Sequence, residues 1–389
     1  MIARKFEFGE KLLQKSVFPC FKEYLLWRTK GGKTPNFAPV SINLDLTAAC
    51  NFQCSHCIDG DIINTGKMLD FNYVKSLIRD WRKKGLKSVI LIGGGEPVLY
   101  PYFEDAVKFL KGMSLQVGIV SNGTNIKRIE NICHLLDEKD WVRLSLDAGT
   151  NETFQKIHQP RVRATLDKIM SAVKKMRRKN SRFQMGFSFL IIGDDKKVNG
   201  TPLVKNIKEI VLAARLAKEN GFNYLSLKPF ISPEGARSTT ISKKNLIEIK
   251  REVKKAKVLE NKKFKVAESI NLRCFYDKNL KNAMQKQPRI CHAQFFRSVV
   301  IPAGVFGCSL WRGFNSTKIA DANQKINVPY YQKLYQNREG LLGSFNAQKN
   351  CKAVSCLYAP LNCWIDGLIK SPEKIKALKS VPDVPDFFL

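Results

Sequence analysis

Eleven cysteines stand in this chain of 389 residues, and three of them, Cys50, Cys54 and Cys57, fall together in CNFQCSHC. Clustered thiols in a chain without an export signal point to metal ligation rather than to disulfides. An iron-sulfur cluster usually takes four thiolates, so a loop that supplies three leaves one position open. The competing reading is a structural zinc knuckle on Cys54-x2-Cys57. Such sites are closed and tetrahedral and usually pair one knuckle with a second ligand pair, and His56 is poorly placed to complete the set.

A second group comprises Cys291, Cys308, Cys351, Cys356 and Cys363. Cys291-x16-Cys308 encloses VVIPAGVFGC, which reads as a hairpin turning at Pro302-Ala303-Gly304, and Cys351-x4-Cys356-x6-Cys363 follows about forty residues later. A structural zinc site from these thiols is the alternative to a cluster. Cys20, Cys133 and Cys274 stand alone and read as small buried apolar residues.

The remaining candidate groups lie where apolar runs end. They are Gly93-Gly94-Gly95-Glu96-Pro97, Ser121-Asn122-Gly123-Thr124, Ser145-Leu146-Asp147 and Leu227-Lys228-Pro229, with Asp59 and Asp61 beside the first cysteines. Each has an ordinary reading as well: a tight glycine turn, capping and turn chemistry, or a solvated charge.

The elements that must position these groups alternate as strand and helix, the mark of a parallel sheet. The predicted strands are Ser41–Leu46, Lys87–Ile92, Gln116–Val120, Val142–Leu146, Phe183–Ile191 and Tyr224–Leu227. The predicted helices run near Phe71–Lys84, Tyr102–Lys111, Ile126–Leu136, Thr165–Lys179, Val204–Asn220 and Asn245–Lys257. Six units are too few for a closed eightfold barrel and enough for a partial, TIM-like (β/α)6 barrel of the α/β class, whose chemistry sits at the C-terminal ends of its strands. Residues 1–39 read as a helical appendage, 40–265 as the barrel, and 266–389 as a small α+β extension.

Composition excludes global disorder, collagen and coiled coil: 44% of residues are hydrophobic and 26% charged. Arg4, Lys5, Glu7, Glu10 and Lys11 interrupt any secretory apolar stretch, and no run approaches a membrane span, so the expected location is cytoplasmic with no membrane partner. The balance of 66 Lys+Arg against 34 Asp+Glu gives +32. Such a field attracts polyanions or phosphorylated small molecules, although the excess is spread as lysine pairs with no basic tail. No helix-turn-helix, RNP or zinc-finger spacing accompanies it, so nucleic acid is not the favoured partner.

From residue 41 to about 240 the chain resembles the radical S-adenosylmethionine (SAM) superfamily, through C-x3-C-x2-C after the first strand and GGEP after the second. The resemblance implies a [4Fe-4S] cluster on Cys50, Cys54 and Cys57 whose fourth iron chelates SAM. It places Gly94, Gly95 and Glu96 at the methionine amino group and Ser121, Asn122, Ser145 and Asp147 near ribose or carboxylate. Lys228, at the end of the sixth strand, reads either as a solvated charge or as a group that reaches a SAM or substrate anion. His56 departs from the aromatic residue usual before the third cysteine. The C-terminal cysteines resemble the family's twitch and SPASM extensions. That implies an auxiliary [4Fe-4S] cluster on Cys291, Cys308, Cys351 and Cys356, with Cys363 as a substitute; the short Gly304 to Cys308 spacing departs from the pattern.

The activity so implied is reductive cleavage of SAM to a 5′-deoxyadenosyl radical that abstracts hydrogen from a substrate. It calls for an electron donor such as flavodoxin or ferredoxin. The basic charge favours a carbohydrate, cyclitol or nucleotide-linked sugar, a small molecule that is phosphorylated or nucleotide-linked, undergoing dehydrogenation, epimerisation or decarboxylation. The alternatives are maturation of a ribosomally made peptide and, from another class, a non-catalytic iron-sulfur protein that binds nucleic acid.

Overall fold

The computed structural model describes residues 8–193, 196–198, 201–231, 241–351 and 356–389; Arg4, Lys5 and Glu7 lie outside them. Seven parallel strands follow one another in chain order: β1 Ser41–Leu44, β2 Ser88–Leu91, β3 Gln116–Ser121, β4 Trp141–Ser145, β5 Gln184–Ile191, β6 Tyr224–Pro229 and β7 Lys265–Glu268. The seventh exceeds the six expected. Three more strands extend the sheet from β1. β8 (Arg297–Ile301) runs parallel to β1, and β9 (Gly304–Phe306) and β10 (Lys318–Ala320) follow antiparallel. The sheet order β10-β9-β8-β1-β2-β3-β4-β5-β6-β7 leaves two separate edges, so the barrel is partial. One continuous sheet crosses the boundary expected near residue 265.

Parallel strands covered on both faces read as unbroken apolar runs; these strands alternate. Ile42, Leu44, Val89, Leu91, Val117, Ile119, Val142, Leu144, Phe187, Leu225 and Leu227 are buried in the core that packs against the helices. Their neighbours Asn43, Ser88, Gln116, Arg143, Ser145, Ser188 and Lys228 face inward by the period of two. The barrel interior therefore mixes these polar groups with apolar ones such as Val120 and Leu190, and it is available for a ligand.

Helices start where side chains satisfy their first amides. Asp70 accepts from Tyr73 N at the head of α1 (Phe71–Lys83), and Thr165 accepts from Lys168 N at the head of the helix Leu166–Lys179. The segment expected as Val204–Asn220 becomes helical only at Ile210, because Asn206 is used elsewhere. Its amide bonds Ile192 N, Leu190 O and Asp147 O, which pins the ends of β4 and β5. Among the described residues of the barrel one α-helix was not expected, α2 (Asn151–His158), capped by Thr150 and braced by Glu209, which accepts from the backbone amides of Gly149 and Thr150.

The N-terminal helices Phe8–Leu13 and Phe18–Lys30 pack on the extension instead of on the barrel, in a second core with Phe21, Tyr24, Phe37, Phe295, Phe296 and Ile365. The last residues close the barrel at the N-terminal ends of its strands. Phe387 N–H donates to Gln116 Oε1 (2.7 Å), Ser88 Oγ donates to Phe387 O (2.8 Å), and the Phe388 ring meets Trp141 at 5.5 Å. Trp141 itself lies across Gly118, where a Cβ would stand 2.4 Å from its ring; only glycine lets this floor form.

Candidate functional site

At the opposite end, the loop after β1 carries the first three cysteines and is held by the C-terminus of α2. Gln53 N–H and Ser55 N–H each donate at 3.1 Å, to His158 O and Ile157 O respectively, and Cys50 N–H donates to Asn64 Oδ1 at 2.8 Å. Burial pushes all three thiols up, Cys57 to about 11 and Cys54 well above its ordinary value, with the neighbouring thiols adding to the Cys54 shift. Three thiols that repel one another as thiolates are stabilised in that form by a cation, which deprotonates a coordinated thiol outright. The donor set therefore fits a cluster.

Gly93–Glu96 passes directly over this loop. A Cβ at Gly95 would stand 2.4 Å from Thr47 O and 2.6 Å from Ala49 O, so the glycine allows backbone to meet backbone. Glu96 is buried and accepts from Asn122 N (2.6 Å) and Val98 N (3.3 Å). Desolvation nevertheless lifts its carboxyl to about 7. Asn122 Nδ2 donates to Asn51 Oδ1 at 2.8 Å, tying the third strand's end back to the cysteine loop. All eight residues expected to face the cofactor, Gly94, Gly95, Glu96, Ser121, Asn122, Ser145, Asp147 and Lys228, line one cavity of about 530 Å3 together with Cys50, Cys54 and Cys57. A larger cleft of about 1140 Å3, rimmed by Arg177, Lys218 and Lys262, lies at the far end of the sheet, away from the thiols.

Asp147 is not a free carboxylate. Leu190 N–H donates to Oδ1 (2.6 Å) and His56 Nε2 lies 3.2 Å from Oδ2. Burial alone, the largest single influence, would raise its pKa, but the two neighbouring histidines and the Leu190 amide together outweigh it and hold the carboxyl below the usual range. His56 thus fills a polar role where the family pattern has an aromatic ring. Of the two loop acids, Asp61 is exposed and Asp59 is paired.

Three residues escaped the sequence reading. His158 Nδ1 lies 3.1 Å from Cys54 Sγ while its Nε2–H donates to Leu146 O at 2.9 Å, and burial drops its pKa to about 4, so the ring is neutral and Nδ1 accepts from the thiol. Arg312, in the extension, places Nη1 2.9 Å from Asp45 Oδ2 and 3.5 Å from Asp59 Oδ2. Asp45 Oδ2 also accepts from Gly94 N at 2.9 Å. One guanidinium therefore joins the end of β1, the glycine loop and the cysteine loop. A histidine 104 positions from its cysteine and an arginine 267 from its aspartate leave no local pattern to read.

In the extension, Cys291, Cys308, Cys351 and Cys356 come together. Burial and then Cys308 push Cys291 up to about 12, and Cys356 shares a hydrogen bond with Cys351 and is raised by the other two thiols. The structure does not bring Cys363 to them. It is exposed and donates to Lys286 O at 3.4 Å, because its helical position turns the thiol outward. Cys133 and Cys274 are buried as expected of lone thiols; Cys20 is half-buried.

Residues 44–197 match the radical SAM superfamily. A segment of 115 residues is 31% identical to the S-adenosylmethionine-dependent nucleotide dehydratase of Thermoplasmatales archaeon strain ISO4-H5, over 28% of this chain and 38% of that protein. Another, of 130 residues, is 25% identical to the putative peptide biosynthesis protein YydG of Bacillus subtilis strain 168, over 32% of this chain and 38% of that protein. These matches span about two fifths of each relative's length. The fold is shared with Streptococcus suis SuiB bound to its precursor peptide SuiA, at a TM-score of 0.59 and 16% identity over 96% of this chain and 78% of that one. Among the described residues no helix is long and apolar enough to cross a membrane. This chain carries a domain of the radical SAM superfamily, the family whose cofactors are S-adenosylmethionine and a [4Fe-4S] cluster.

Proposed function

We propose that this chain is a radical SAM enzyme acting on a small phosphorylated or nucleotide-linked molecule with a sugar or cyclitol ring. The observation that carries the reading is the convergence of three thiols and the polar ends of five strands on one cavity. Cys50, Cys54 and Cys57 hold the cluster, and Gly94, Gly95, Glu96, Ser121 and Asn122 frame SAM. Bound there, cluster and SAM supply the one-electron chemistry that yields a 5′-deoxyadenosyl radical. The chain's own part is to orient one substrate C–H and exclude water: Phe52, Phe230, Ile231 and Leu310 supply apolar wall, and a dry, shaped cavity suppresses side reactions. The similarity to a nucleotide dehydratase supports the substrate class. The electron comes from a donor such as flavodoxin or ferredoxin.

The test is deoxyadenosine release from SAM by reduced protein, followed with a panel of deuterated sugar phosphates and nucleotides. Deuterium in the deoxyadenosine identifies the hydrogen donor. Transfer from a peptide and from none of the small molecules favours the second reading, peptide maturation, which the similarity to YydG supports. No deoxyadenosine at all returns the chain to the non-catalytic class.

A second cluster on Cys291, Cys308, Cys351 and Cys356 accompanies this reading. Anaerobically reconstituted protein then contains about eight irons, from two cubanes held by cysteines, and the Cys291→Ala, Cys308→Ala variant about four. Four irons and one zinc in the wild type would point to a structural site instead.

A further inference from the structure

We propose that the interior wall made by β4, β5 and β6 is a subsite for a phosphate group of the substrate. Register sets Ser145, Ser188 and Ser226 side by side across the three strands. Arg143 stands one inward position closer to the floor on β4, and Lys228 one inward position closer to the mouth on β6. The residues between them, Leu144, Phe187, Leu225 and Leu227, belong to the helix-packed core, so the five polar groups share the interior face. Ser145, Ser188 and Lys228 line the cavity that holds the thiols.

Among the described residues neither cation has an ion-pair partner. The carboxylate whose field reaches Lys228 is Asp147, and Asp147 is committed to His56 and Leu190. Arg143 leans over the Trp141 ring at 5.3 Å, and its Nε is buried without a hydrogen-bond partner. Buried polar groups are normally satisfied, and an uncompensated buried charge is costly. Burial first, then the Arg143 guanidinium, push the Lys228 ammonium down to about 7, the response of a cation that lacks its counter-charge. Two cations flanking three hydroxyls match a phosphate monoester, which carries a charge of about −1.5 to −2 and three acceptor oxygens. A carboxylate has one charge and two oxygens, and it would leave one of the cations unmatched. Arginine's fork is suited to phosphate.

This subsite rests on the reading of the cavity as a substrate site, but its test does not depend on SAM cleavage. Titration calorimetry of inorganic phosphate into the reconstituted protein, with and without saturating SAM and at matched ionic strength, reads it directly. The wild type should show one saturable phosphate site per chain that survives SAM. Arg143→Gln and Lys228→Gln should each weaken it about tenfold or more, the loss of a charge-assisted hydrogen bond. Lys262→Ala, in the distant basic cleft, should leave it within about twofold, and acetate should bind about tenfold more weakly than phosphate. Where a charge variant does not fold, Ser188→Ala, expected to lower affinity by severalfold, takes its place. Displacement of phosphate by SAM, equal binding of acetate, or an equal loss in Lys262→Ala would overturn the proposal. Phosphate binding without deoxyadenosine release overturns the radical reading and leaves the subsite standing; release without phosphate binding does the reverse.

Discussion

Cys50→Ala, Cys54→Ala and Cys57→Ala should each reduce deoxyadenosine release from SAM to background, a loss larger than the 10–100-fold typical of removing a group behind a metal ligand. Cys20→Ala, at a lone thiol remote from the loop, should leave release unchanged. The three variants differ in stability. Cys50 and Cys57 are half-buried, and their truncation costs about 1 kcal/mol or less. Cys54 is the partner of His158 Nδ1, and its removal strands a buried acceptor, adding about 1–3 kcal/mol. Anaerobic chromatography of the reaction and urea unfolding of the unloaded proteins separate the two effects. Substantial release from any one variant removes that cysteine from the ligand set, and equal stability of all three removes the histidine bond from the account.

Arg312→Met should destabilise the protein by about 3–5 kcal/mol near neutral pH, the cost of leaving buried charge unpaired. The pH dependence tells this from lost packing. Burial raises the Asp45 carboxyl to about 6 despite Arg312, above its ordinary 3.8, so the native state binds the extra proton between about pH 4 and 6 and this contribution to stability falls as pH rises through that window. Without the guanidinium the folded pKa rises further. The variant continues to lose stability above pH 6, where the wild type has levelled, and the deficit shrinks below it. Urea unfolding between pH 5 and 8 measures this. Adding Asp45→Asn to Arg312→Met should recover part of the loss. A deficit independent of pH would show that Arg312 acts through its packing alone.

What the sequence made legible is what is local. The cysteine loop and the glycine run each sit within a few residues of a strand end, and strand-helix alternation places both at one mouth. The polar termini of β3 and β4 were legible for the same reason. Less accessible was anything made by chain segments meeting late. The eight residues of α2 are too few to display a long apolar period, although Thr150 and Thr153 carry its cap, and so His158 was missed. The strand β7 is four residues long with a Lys and a Glu at its ends, which hides it inside a lysine-rich connector. Arg312 is one basic residue among 66, and only its burial against Asp45 sets it apart. Cys363 shows the converse: spacing grouped it with Cys351 and Cys356, but helix geometry turned it away.

The seal at the barrel floor has a consequence in time. Phe387 meets Gln116 across 271 residues of chain, so β3 leaves the ribosome well before the segment that covers it. At the usual 5–20 residues per second this interval is roughly 15–55 s. Such distant pairings also fold slowly once the chain is available. Until that segment arrives, Ser88 and Gln116 lack the Phe387 backbone as their partner and the Trp141 edge lacks the Phe388 ring that covers it.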